Sequence, residues 1–67
     1  MLQIRAERED DGRWIAEAIE LPGVFTYGNS RDEAIKQAKA LSLRVLADRI
    51  EHGENVSEID GFFAVEH

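Results

Sequence analysis

Polar and apolar residues alternate over the first part of the chain. Leu2, Ile4 and Ala6 are separated by polar residues, and this period of two predicts a strand with one buried face. Residues 13–19 alternate in the same way. The polar segment between them, residues 9–12, ends in Asp-Gly, which is a hairpin turn signal. The pattern therefore predicts an antiparallel hairpin.

The two faces of the second strand differ in character. Trp14, Ala16 and Ala18 point to one side, whereas Ile15 and Ile19 point to the other with Glu17 between them. We expect the face opposite the helix to carry Ile15, Ile19 and one residue of each neighbouring aromatic pair. The pattern does not decide which face the helix covers.

A turn and a third strand follow the hairpin. Leu21-Pro22-Gly23 interrupts the alternation, because proline cannot donate to a ladder and glycine accepts a positive φ. Residues 24–27 are rich in β-forming side chains. We predict a turn at Leu21, Pro22 and Gly23, and a short strand after it.

The next segment has the spacing and the caps of a helix. Ser30 is a good N-cap, and Glu33 three residues later completes a capping box. Apolar residues then recur with a helical period; they are Ala34, Ile35, Ala38, Leu41, Val45 and Leu46. Gly53 is the expected stop, so the pattern predicts a helix over 31–52.

Residues 62–65, Phe-Phe-Ala-Val, predict a last strand. The order is then β-β-β-α-β, an α+β fold with a four-stranded mixed sheet and one helix on one face. The last strand would return in parallel beside the first through a right-handed crossover.

Length, composition and charge exclude several classes of protein. The chain has 67 residues, no cysteine and a net charge of −6, which allows one domain and no disulfide scaffold. The negative charge opposes contact with phosphate backbones, so we expect no direct nucleic-acid binding, and it suits a basic protein partner. No apolar run is long enough to cross a bilayer. The first residues lack a signal-peptide pattern, so we expect a cytoplasmic protein.

No residue pattern indicates catalysis or a cofactor. The acidic residues 9–11 are typical of a solvated turn, and neither histidine has metal-ligand spacing. We therefore predict no catalytic, metal or cofactor-binding residues. The uncovered sheet face, with Ile15 and Ile19, and the outward helix residues Leu43 and Ala47 are candidate contacts for a partner or for a homo-oligomer, a dimer or tetramer.

Taken in order, these motifs resemble those of the HicB-like antitoxin family over roughly residues 2–65. The residues that carry the resemblance are Gly12 in an Asp-Gly-Arg-Trp stretch, Leu21, Pro22, Gly23, Gly28, Ser30, Glu33 and Ala34.

The resemblance implies a partial ribonuclease H-like fold with no catalysis. It also implies that the chain binds and occludes a small basic messenger-RNA-cleaving toxin. Many members carry a further C-terminal DNA-binding domain. We expect residues 1–67 to form a single HicB-like domain without one.

Two other hypotheses remain open at this point. In the first, the chain is a stand-alone homo-oligomeric interaction or regulatory module without a toxin. In the second, it is a small hydrolase that uses Glu7 and Glu17. The second is the weaker, because metal-assisted phosphoryl chemistry needs convergent carboxylates.

Overall fold

A computed structural model describes residues 1–66. Three strands are followed by one long helix and a short 3₁₀ helix. The strands are β1 (Ile4–Arg8), β2 (Trp14–Ala18) and β3 (Phe25–Gly28), the helix is α1 (Arg31–Glu51), and the 3₁₀ helix spans Ser57–Phe62.

The strands form an antiparallel meander in the order β1-β2-β3. Ala6 pairs with Ala16 between the first two strands, and Ala16 pairs with Thr26 in the third. The turn between β1 and β2 is closed by the Gly12 N–H, which donates to the Glu9 carbonyl at 3.0 Å. Gly12 has a φ of 91°, a left-handed conformation that glycine adopts without a steric penalty. The hairpin predicted from the alternation is confirmed.

The segment between β2 and β3 is held by a second tight turn. The Val24 N–H donates to the Leu21 carbonyl at 3.0 Å across Pro22 and Gly23. Gly23 has a φ of 85°, so proline and then glycine occupy the central positions as they do in a type II turn. Leu21 is fully buried and anchors this turn to the core.

Helix α1 has the caps that its sequence predicts. The Ser30 hydroxyl accepts a hydrogen bond from the Glu33 N–H at 3.1 Å. At the other end, the Gly53 N–H donates to the Ile50 carbonyl and the Glu54 N–H donates to the Arg49 carbonyl. These two bonds, with Gly53 at a φ of 81°, form a Schellman cap. The helix ends at Glu51, one residue before the predicted limit.

Small residues bring α1 close to the sheet. Ala16, Ala34 and Ala38 form a fully buried cluster at the N-terminal half of the helix. A Cβ placed on Gly28 would lie 2.5 Å from the Ala34 nitrogen, so only glycine fits at this crossing. The Thr26 hydroxyl donates to the Ala34 carbonyl at 2.9 Å and ties β3 to the same turn of the helix.

Larger side chains fill the other end of the core. Leu21, Val24 and Leu46 pack with Val56 and Ile59 from the C-terminal segment. Ser42 also lies in the buried stripe of the helix, and its hydroxyl donates to the Ala38 carbonyl at 2.7 Å. A serine in this position satisfies its own hydroxyl within the helix, which is why a hydrophobic pattern does not reveal it.

The expected fourth strand is not formed within residues 1–66, so the described sheet has three strands and is entirely antiparallel. Val56 and Ile59 are three residues apart, and a 3₁₀ turn buries both on one side. Phe62, Phe63 and Val65 are left exposed. The burial of the two aliphatic residues therefore determines the path of the segment, against the strand propensity of the aromatic residues after them.

We predict that Gly28→Ala lowers the free energy of unfolding by about 1–3 kcal/mol, because the new methyl group meets helix backbone that cannot move aside independently. Gly61→Ala is the matched control, since a Cβ there has no neighbour within 4 Å. Urea denaturation of the two variants checks this. Equal stability of both would show that the helix does not approach the sheet so closely.

Removal of the helix cap has a separate, smaller effect. Ser30→Ala should lower the free energy of unfolding by about 1 kcal/mol, because the Glu33 N–H loses its acceptor. Ser57→Ala, at the start of the 3₁₀ helix where no side-chain cap bond is formed, serves as the control in the same thermal melts. A melting temperature unchanged by Ser30→Ala would contradict the capping assignment.

Candidate functional site: the open face of the sheet

Helix α1 covers one face of the sheet, and an apolar group lies on the other face. Ile15, Ile19, Phe25 and Tyr27 share this side of β2 and β3 and are called here the open-face cluster. Ile19, Phe25 and Tyr27 are 46%, 47% and 44% exposed. Register places Tyr27 opposite Ile15 and Phe25 opposite Glu17, so apolar side chains flank the Glu17 carboxylate on this face. Partly exposed apolar groups of this kind mark interaction surfaces.

The two aromatic residues have a defined geometry. The rings of Phe25 and Tyr27 meet edge to face, with centroids 6.1 Å apart and an interplanar angle of 88°. The guanidinium carbon of Arg13 lies 4.5 Å from the Tyr27 ring centroid, within the range of a cation–π contact. The open face thus already holds one cation against an aromatic ring.

A charged pair, Arg5 of β1 and Glu17 of β2, lies on the same face as the cluster. The Arg5 Nε donates to the Glu17 carboxylate at 2.9 Å, and its Nη2 donates to the same oxygen. The hydrogen bond to Glu17, with the charge of that carboxylate, raises the pKa of Arg5. Both side chains are about half exposed, so this pair orders the surface more than it stabilises the fold.

The hairpin turn forms the acidic end of the open face. A shallow pocket of about 280 Å³ lies there, lined by Tyr27, Arg13 and the acidic residues 9–11. The Asp11 carboxylate accepts bonds from the Arg13 N–H at 3.0 Å and from the Arg13 Nε at 2.7 Å. The backbone bond first and the side-chain bond second lower the pKa of Asp11.

Charge is distributed unevenly between the helix and the rest of the chain. Helix α1 carries five basic and four acidic residues, a net +1, and the rest of the chain carries three basic and ten acidic residues, a net −7. The negative charge of the protein therefore belongs to the sheet, its turns and the C-terminal segment.

The outer surface of α1 carries a second, smaller apolar group. Leu43 is 55% exposed and Ile50 is 48% exposed, and Ala40 and Ala47 lie exposed beside them. Their spacing of three, four and three residues is typical of a helix–helix seam. Leu43 and Ala47 thus lie on the opposite side of the protein from Ile15 and Ile19.

The structure corrects one expectation about the open face. Phe25 and Tyr27 both lie on it, whereas we predict from the sequence only one residue of each aromatic pair on that face. They are two residues apart with Thr26 between them, and side chains at this spacing in a strand share a face. The alternation over 25–28 contains this signal. The remaining motif residues, Gly12, Leu21, Pro22, Gly23, Gly28, Ser30, Glu33 and Ala34, lie in turns, caps and the helix–sheet contact.

The described residues offer no convergent acidic site. Among residues 1–66, no group of three or more metal-ligating side chains is close enough to hold an ion. The Glu17 carboxylate is engaged by Arg5, and Glu7 pairs in register with Ile15. The one long helix in this part of the chain is too charged to cross a membrane.

We predict that a carbon-13 NMR titration gives Asp11 a pKa below the ordinary aspartate value. Its contribution to stability is therefore present above the unfolded-state pKa and is lost as pH falls through the folded-state value. Arg13→Gln should raise the pKa of Asp11 only part of the way back, because the residue-13 N–H still donates. An Asp11 pKa at or above the ordinary value would contradict the turn geometry.

Comparison with solved structures finds the same architecture in a known protein domain. The crystal structure of the N-terminal domain of the Burkholderia pseudomallei antitoxin HicB superposes with a TM-score of 0.77. The two sequences are 24% identical, and the match covers 98% of this chain and 72% of that one. No protein-family model matches the sequence, and no curated protein matches it. The chain therefore has the fold of a HicB antitoxin N-terminal domain, as its motifs predict.

Proposed function

We propose that this chain is a non-catalytic, antitoxin-like protein that binds a small basic RNA-cleaving toxin and covers its active site. The observation that carries this proposal is the net charge of −7 outside the helix, on a fold shared with an antitoxin domain. A basic ribonuclease binds an acidic surface readily because opposite charges steer the two proteins together.

The proposed mechanism needs no cofactor and no chemical step. Binding removes apolar surface from water at the contact, and occlusion by this chain keeps RNA from the toxin. The complex would form in the cytoplasm, where messenger RNA is cleaved. The motif residues contribute indirectly, since Gly28, Ser30 and Ala34 fix the helix on one face and leave the other face available.

A specific observation favours a second candidate function. The exposed stripe that contains Leu43 and Ala47 has the spacing of a helix–helix seam. A chain that self-associates through this stripe would be a homo-oligomeric interaction module with no toxin. Self-association through the helix leaves the open sheet face accessible, so self-association in itself is compatible with the first candidate.

Co-expression tests the proposed function. We expect the product of the gene adjacent to the one encoding this chain to be a small basic ribonuclease. It should co-purify with this chain and lose its growth-inhibiting activity in the complex. The control is the same product expressed without this chain, which should inhibit growth. If the adjacent product forms no complex with the wild-type chain and its toxicity is unrelieved, the antitoxin proposal is wrong.

A further inference from the structure

We infer that the basic partner docks on the open face of the sheet, where the Phe25–Tyr27 pair and the carboxylates of the hairpin receive its arginine or lysine side chains. This inference rests on the proposed function and adds to it the surface and the chemistry of recognition. Three independent features of the structure support it.

The first feature is the local balance of charge. Arg5 is paired with Glu17 and Arg13 with Asp11, so these two cations are already neutralised. Other carboxylates beside the cluster, those of Glu7, Glu9 and Asp10, form no ion pair with the described residues. A cationic side chain that approaches the Tyr27 end of the cluster therefore meets excess negative charge.

The second feature is the pair of partly exposed rings. The position of Arg13 over Tyr27 shows that an aromatic ring on this face accepts a guanidinium group. Phe25 lies beside it with nearly half of its surface exposed, and its ring is available to a cation from outside. Aromatic and arginine side chains are the residues that most often dominate binding energy at protein interfaces.

The third feature is the contrast with the helix. Lys36 and Lys39 lie exposed on the N-terminal half of α1, and the helix as a whole carries a net +1. A basic partner gains no electrostatic attraction there. The exposed apolar stripe around Leu43 is thus poorly suited to such a partner, although it suits a neutral one.

The same charges argue against a second copy of this chain on the open face. In a symmetric dimer both copies use the same patch, so two surfaces that each carry the acidic hairpin and Glu7 would be brought together. Like charges brought together at an interface oppose association. The open face is therefore more suited to a basic protein than to self-association.

A pair of matched variants tests the apolar part of the surface. Phe25→Thr removes an exposed aromatic residue from the sheet face and keeps a β-forming residue, and Leu43→Gln removes an exposed apolar residue from the helix. Titration calorimetry with the purified product of the adjacent gene should show that Phe25→Thr raises the dissociation constant about tenfold or more above that of the wild type. Leu43→Gln should bind as the wild type does.

A second pair tests the charge without changing the shape of the side chain. The two variants are Glu7→Gln, at a residue beside the cluster, and Glu51→Gln, at the last residue of α1. At low salt, Glu7→Gln should slow association about two- to threefold, and the difference should shrink as salt is added. Glu51→Gln should leave the association rate unchanged. Circular dichroism and thermal melts establish that all four variants are folded.

The outcomes distinguish failure of the docking-surface inference from failure of the proposed function. A wild-type complex that Phe25→Thr and Glu7→Gln weaken, but the two helix variants do not, supports the inference. A wild-type complex that the sheet-face variants leave intact overturns the inference and leaves the proposed function standing. If the wild-type chain forms no complex with the adjacent product, the proposed function and this inference are both wrong.

Discussion

The close contact between the start of α1 and strand β3 determines how the rest of the protein is arranged. Gly28 has no room for a side chain against the backbone of Ala34, and Ala16, Ala34 and Ala38 are fully buried around this crossing. A helix held so near the sheet packs along one face of a narrow, three-stranded meander. Because the second helix in residues 31–66 is the short 3₁₀ helix, whose Ile59 packs with Leu21 and Leu46, the other face keeps its apolar side chains partly exposed to solvent.

Local signals in the sequence predict most of this architecture. Alternation gives the hairpin, proline followed by glycine gives the turn at 21–24, and Ser30 and Gly53 bound the helix because caps act within a few residues. The path of the C-terminal segment depends instead on long-range packing of Val56 and Ile59 against Leu21 and Leu46. No local pattern encodes such a contact, and the strand propensity of residues 62–65 therefore misleads.

The candidate site was predictable in part for the same reason. The alternation in β2 predicts that Ile15 and Ile19 share one face. The alternation in β3 likewise predicts that Phe25 and Tyr27, two residues apart, share a face. The Arg5–Glu17 pair and the stacking of Arg13 on Tyr27 depend on the register between strands. Register brings together residues that are 12 to 14 positions apart in the sequence, and composition alone does not reveal it.

Fold and charge together account for a protein with two dissimilar surfaces: a near-neutral helix and an acidic, partly aromatic sheet. The most direct test is amide chemical-shift mapping of the chain bound to the product of the adjacent gene. The account predicts that the largest shifts fall in β2, β3 and the 9–13 turn, with the outer positions of α1 unchanged. Shifts concentrated around Leu43 and Ala47, with the sheet unaffected, would contradict it.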